Sequence, residues 1–172
     1  AIQWFPGHMH KAGLEMKKIL PQMDLIIEVL DARLPYSSSN PMLAALRGDK
    51  PCIKILNKAD LADPELTVIW QQHLEQEQGI KTLVLSANET SRGKELIALC
   101  QKLIPNKANS VKKIQALIMG IPNVGKSTLT LFGSSPGLRA LSQSRNSLIS
   151  SPSSKRRSKF SAVIVAFSFF IS

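Results

Sequence analysis

The sequence predicts an α/β fold, a mostly parallel sheet with helices on both faces, and three features predict it. Short apolar, β-branched runs alternate with helix-forming segments along the first 130 residues. The runs are apolar at nearly every position, as strands covered on both faces are. Each of the later ones delivers a polar, glycine- or asparagine-bearing segment at its C-terminal end, where open parallel sheets carry their functional loops.

The first strand is expected over Met23 to Asp31, MDLIIEVLD, ending at an acid. Asn40-Pro41 then offers a cap and a first-turn proline for a short helix that Gly48 can end. Pro51 to Leu56 reads as the second strand, delivering Asn57-Lys58-Ala59-Asp60. Asp63-Pro64-Glu65 starts a helix predicted to run to about Gly79. A third strand, Thr82 to Leu85, ends on Ser86-Ala87-Asn88, and a helix follows from roughly Arg92 to Ile104. Residues 105–113 form a polar, lysine-containing connection to a fourth strand, Gln115 to Met119, which runs into Gly120-Ile121-Pro122-Asn123-Val124-Gly125-Lys126-Ser127.

At 172 residues and 44% hydrophobic content the chain can bury one substantial core. Its net charge of +10 points to a polyanionic partner only if a folded face carries it. It is unevenly spread: residues 1–130 hold all 12 acids and 16 of the 22 bases, whereas 131–172 hold six bases and no acid. Cys52 and Cys100 lie in apolar surroundings without metal-ligand spacing, and are read as buried thiols in a reducing cytosol. The N-terminus lacks the pattern of a secretory signal, and the longest apolar run, Ala162 to Ile171, is shorter than the ~20 residues a spanning helix needs. The expectation is a cytoplasmic protein with no membrane segment.

Two motifs carry chemistry. Gly120 to Ser127 matches GxxxxGK[ST], with a strand before it and a helix-competent Thr128-Leu129-Thr130 after it. Such a loop aims successive N–H groups and a helix N-terminus at phosphates, with Lys126 reaching the β- and γ-phosphates and the Ser127 hydroxyl ligating Mg²⁺. The fold expected is therefore P-loop NTPase-like. Asn57-Lys58-Ala59-Asp60 matches NKxD. The Asp60 carboxylate can accept from the N1–H and 2-amino donors of guanine, a pair that adenine lacks, and leaving it buried against the wrong base is costly. An ATP-specific reading of the P-loop is disfavoured for that reason. One strand-helix unit later, Ser86-Ala87-Asn88 resembles the loop whose alanine N–H contacts guanine O6, with Asn88 where lysine is usual.

With Trp4-Phe5-Pro6-Gly7-His8-Met9 and Asp31-Ala32-Arg33-Leu34-Pro35 added, residues 2–130 resemble the circularly permuted ribosome-assembly GTPases of the YlqF/RbgA type, in which the base-reading loop precedes the phosphate loop. The resemblance implies GTP and Mg²⁺ as cofactors and a role in maturing the large ribosomal subunit in contact with its rRNA. It places Asn57, Lys58, Asp60, Ser86, Ala87, Asn88, Asn123, Val124, Gly125, Lys126, Ser127 and Thr128 on the nucleotide, Ser127 on Mg²⁺, and Asn123 in a potassium-assisted mechanism. It offers His8 as a catalytic or water-positioning residue, beside a purely structural reading. Oligomeric state is not legible.

Other residues have duller roles available. Trp4 and Phe5 could stack on RNA, but packing of an N-terminal arm is the simpler expectation. Arg33, after a strand end, is read as a salt-bridge residue before a phosphate or RNA contact. Lys155-Arg156-Arg157 is read as a solvated charge run.

The expected domains are 1–130, a partial GTP-binding domain, and 131–172, a Ser/Arg-rich tail read as disordered with an aggregation-prone apolar end. A full family pattern continues past the phosphate loop into a switch threonine and a DxxG loop. Here the last aspartate is Asp63 and the last acid Glu95. The change near residue 130 is read as a frameshift or misread gene end, against a natural tail. Beside the enzyme stand two other readings: a nucleotide-binding module without efficient hydrolysis, and a truncated product without a role.

Overall fold

The computed structural model describes residues 13–14, 16–86, 92–108, 114–120 and 160–164. Its sheet comprises β1 (Leu25–Asp31), β2 (Cys52–Asn57), β3 (Ile80–Val84), β4 (Ile114–Gly120) and β5 (Phe160–Ile164), all parallel, in the order β3-β2-β1-β4-β5. The chain steps outward from β1 to β2 to β3, then returns to lay β4 against the other side of β1. The strand order therefore reverses between β1 and β4, and in open α/β sheets the crevice outside the C-terminal strand ends at that point is where ligands bind.

Alternate residues of the strands feed opposite faces. On one face Leu25, Ile27 and Val29 join Ile53, Ile55, Ile114, Ala116 and Ile118. The others bring Ile26, Cys52, Ile80, Leu117 and Met119 together. The first face is covered by Leu96 and Cys100 of a helix at Gly93–Leu103, and the second by Met16, Leu20 and Leu43. Each fully buried leucine or isoleucine contributes about 2 kcal/mol of apolar burial.

Local chemistry accounts for the helices. A single turn, α1 (Pro35–Ser38), opens on proline. In α2 (Pro41–Arg47) the Asn40 side chain accepts from Met42 N at 3.0 Å, and Gly48 ends the helix at φ 58°. In α3 (Pro64–Leu74) Asp63 Oδ1 accepts from Glu65 N and Leu66 N at 2.9 and 3.0 Å. This helix stops at Leu74, short of the Gly79 expected from sequence. The residues beyond, Glu75 to Gln78, offer no apolar group to bury, and Glu75 Oε1 instead accepts from Thr82 N at 2.8 Å. The chain reverses at Gly79, φ 79°, so β3 starts two residues earlier than expected. The helix Gly93–Leu103 is α4, and a short turn, α5 (Pro105–Ala108), lies within the expected linker.

β5 falls inside the segment that sequence reads as a disordered tail. Its apolar run pairs with the edge of β4, Ile114 opposite Phe160 through Ile118 opposite Ile164, so that edge has a partner for its backbone groups. The remaining residues of 131–172 lie outside the described ones. Among the described residues no helix is long and apolar enough to cross a membrane.

Candidate functional site

The C-terminal ends of β1 and β2 sit side by side, with Asp31 opposite Asn57. Beyond β2 the backbone turns sharply: Lys58 adopts φ 60°, ψ 36°, the one positive φ at a non-glycine among the described residues, and Ala59–Leu61 close a 3-10 turn. A left-handed conformation is disfavoured for a lysine, so something must hold it. On one side Ala32 N donates to Asn57 O at 2.8 Å, and on the other Ala59 N donates to Leu85 O at 3.0 Å. The second bond ties this loop to the exit of β3, where Ser86 follows. The Asn57–Asp60 turn and the Ser86 segment, a helix and a strand apart in sequence, are therefore joined backbone to backbone. Asn57 is buried, Lys58 and Ser86 are half-buried, and Asp60 is exposed.

Asp31 organises the end of β1. Its Oδ1 accepts from Arg33 N at 3.0 Å and Arg33 Nε at 2.9 Å, and its Oδ2 from an Arg33 terminal nitrogen at 2.7 Å. Lys58 Nζ stands 3.6 Å from the same Oδ2. The Arg33 side-chain hydrogen bonds hold the Asp31 carboxyl at about 2 against the opposing effect of burial, with the Arg33 backbone N–H and the charges of Arg33 and Lys58 adding to them. Arg33 is thus the salt-bridge residue expected, with Asp31 its partner. The turn that follows is tied down by Ser38, whose Oγ accepts from Asp31 N at 3.0 Å and donates to Leu34 O at 2.8 Å. Leu34 and Tyr36 point outward from it.

A second charged group lies deeper between the strands. Glu28 and Lys54 are register partners on β1 and β2, both buried, with Lys54 Nζ 3.0 Å from Glu28 Oε2. Glu28 Oε1 accepts from Asn40 N at 2.7 Å and from Ser39 Oγ at 3.3 Å, which anchors the start of α2 to the sheet. Arg47, buried at the end of α2, bonds Lys50 O at 2.8 Å and pairs with Glu77, clasping α2 to the chain entering β3. Burial pushes both Cys52 and Cys100 up to about 12, so they are inert buried thiols. His73 meets the Trp70 ring edge-on at 5.6 Å. No cluster of metal-ligating side chains occurs among the described residues.

Of the residues expected to bind nucleotide, Asn57, Lys58, Asp60 and Ser86 gather at this edge. Gly120, the first residue of the GxxxxGKS motif, is paired with Val29 on the other side of β1. Ala87, Asn88, Asn123, Val124, Gly125, Lys126, Ser127, Thr128 and His8 lie outside the described residues. Sequence reasoning passed over Asp31 as a partner of Lys58. The available signal was an acid ending a strand beside the strand that carries NKxD.

No family model matches the chain. Curated relatives do. The chain is 44% identical over 135 residues to "Ribosome biogenesis GTPase A" of Bacillus pumilus, covering 74% of this chain and 48% of that protein. It is 36% identical over 132 residues to "Mitochondrial ribosome-associated GTPase 1" of Mus musculus, covering 74% and 40%. Among solved structures it is similar to YlqF from T. maritima in a GNP-bound form, at 29% identity and a TM-score of 0.50, over 69% of this chain and 46% of that one. A GDP-bound YlqF structure matches at 27% identity and a TM-score of 0.51, over 72% and 49%. The chain spans about half the length of the curated relatives it matches.

Proposed function

As a relative of the ribosome biogenesis GTPase A proteins over 74% of its length, this chain, we propose, binds guanine nucleotide at the C-terminal edge of its sheet and is a GTPase of ribosome assembly. One observation carries the reading. The NKxD turn after β2 and the strand that leads into GxxxxGKS flank β1 at the same edge, on either side of the point where strand order reverses. Base recognition and phosphate binding need those two loops at one edge of one sheet, although Gly120 follows Lys58 by 62 positions in the sequence.

In this reading Asp60 takes the guanine N1–H and 2-amino donors, and the Ser86-Ala87-Asn88 loop supports the base. The phosphate loop, with Asn123 through Thr128, wraps the phosphates. Lys126 neutralises the β- and γ-oxygens, Ser127 ligates Mg²⁺, and Asn123 serves a potassium ion. His8 positions the attacking water. The ribosomal partner is the large subunit with its rRNA, met in the cytoplasm. The names of the relatives support a ribosomal role, and the GNP- and GDP-bound states of YlqF support guanine nucleotide as the ligand.

Nucleotide titration tests the proposal. Wild type should prefer GTP to ATP. Asp60→Asn should weaken GTP binding by about ten-fold or more and relax discrimination toward xanthine nucleotide, whose C2 oxygen suits an amide donor. Lys126→Ala should weaken triphosphate binding generally. Equal binding of GTP and ATP by wild type would refute guanine specificity, and unchanged affinity in Lys126→Ala would refute the phosphate-loop assignment.

A further inference from the structure

We propose that Asp31 is a positioning residue of the base-reading loop: its carboxylate holds the Lys58 ammonium in place before nucleotide arrives, with Arg33 fixing the carboxylate. The inference rests on the guanine-nucleotide reading above and adds to it a residue outside the NKxD motif.

Lys58 occupies a left-handed backbone conformation that a side chain disfavours, and its peptide neighbours are fixed independently, Asn57 O by Ala32 N and Ala59 N by Leu85 O. With the main chain pinned on both sides, the direction of the Lys58 side chain is settled by what it meets, which is Asp31 Oδ2 at 3.6 Å. Asp31 is well suited to the task. It ends β1 in register with Asn57, so its backbone is set by the central strand of the sheet. Its N–H is capped by Ser38 Oγ, and both its oxygens are gripped by Arg33, which orients the carboxylate plane.

A flexible lysine placed in advance gives up less rotamer freedom on binding, so the benefit appears as nucleotide affinity. The ammonium lies between the base-reading turn and β1, whose other neighbour, β4, leads into the phosphate loop. A lysine released from Asp31 would leave that position at the moment the ligand needs it.

The test is a double-mutant cycle in the 172-residue chain, titrating a fluorescent N-methylanthraniloyl-GDP into wild type, Asp31→Asn, Lys58→Met and the double variant, with a thermal melt of each. Asp31→Asn should weaken binding about ten-fold, and the double variant should bind no more weakly than Lys58→Met alone, because the two residues act as one unit. Asp31→Glu should recover part of the loss. A merely structural Asp31 would instead multiply its effect with that of Lys58→Met, whatever either does to the melting temperature. Should Asp31→Asn fail to fold, Arg33→Ala, which leaves the carboxylate but frees its plane, should weaken binding about three-fold in wild type and not at all in the Lys58→Met background. Binding within two-fold of wild type by folded Asp31→Asn, or independent effects in the cycle, overturns this inference alone. A wild type that binds no guanine nucleotide overturns the functional reading and this one with it.

Discussion

At the scale of single residues, charge at the C-terminal sheet edge is fixed by contacts two to four ångströms long. Asp31 illustrates the consequence for pH. Its folded carboxyl lies at about 2, below its ordinary 3.8, chiefly through the Arg33 side-chain hydrogen bonds. A depressed carboxyl contributes stability that is fully present above its unfolded value and is lost as pH falls through the folded one. The window is therefore from about pH 4 down to about pH 2. Thermal melts across that range should show wild type losing more stability than Asp31→Asn, whose amide cannot titrate. Parallel curves for the two proteins would refute the assignment. Arg33 is exposed on its outer side, so solvent and salt screen the pair, and the difference should shrink in high salt.

At the scale of elements, β1 and β2 are joined by more than their backbone ladder. Glu28 and Lys54 are opposite one another in the sheet and buried, and Glu28 also carries the first N–H of the α2 entry. Removing one partner of a buried pair strands the other's charge, which costs more than losing the pair as a unit. Lys54→Met should destabilise the protein by about 3 kcal/mol, measured by urea unfolding. Lys54→Met combined with Glu28→Gln should recover part of that, because Gln keeps an acceptor for Asn40 N and carries no charge. A double variant less stable than Lys54→Met would show that the carboxylate is held well enough by Asn40 and Ser39 without its lysine. α3 shows the complementary case, an element set by local chemistry: Asp63 caps it and Pro64 starts it, and its buried side is limited to Thr67 with the half-buried Trp70 and Leu74.

At the scale of the whole molecule, the sheet offers the edge proposed for nucleotide, and hydrolysis asks for more than an edge. Phosphoryl transfer rests on placing water and stabilising charge around a metal-bound γ-phosphate. Residues 128–172 hold no acid, so within these 172 residues a carboxylate that supports Mg²⁺ would have to come from before the GxxxxGKS motif. The 172-residue chain should therefore bind GTP yet hydrolyse it far more slowly than a full-length relative, with or without large ribosomal subunits. Single-turnover hydrolysis in potassium buffer measures this. Subunit-stimulated turnover matching a full-length relative would mean that residues 131–172 provide the missing function by another arrangement.

The sequence by itself determined the local grammar of this protein. The apolar runs at Met23–Asp31, Pro51–Leu56, Thr82–Leu85 and Gln115–Met119 declared strands, Asn40 and Asp63 declared helix starts, and the NKxD and GxxxxGKS motifs pointed to the chemistry proposed for them, because each signal depends on residues within a turn or two of one another. The length of α3 and the start of β3 were misjudged where the polar stretch before Gly79 carries no local stop signal stronger than its lack of apolar residues. Only the tertiary structure decided that β4 lies beside β1, that Asp31 meets Lys58, that Glu28 faces Lys54, and that Phe160–Ile164 joins the sheet. These are contacts between residues far apart in the chain. Which strand edges meet, and which buried charges find partners, is settled when the whole core closes and every backbone group and ion must be satisfied at once.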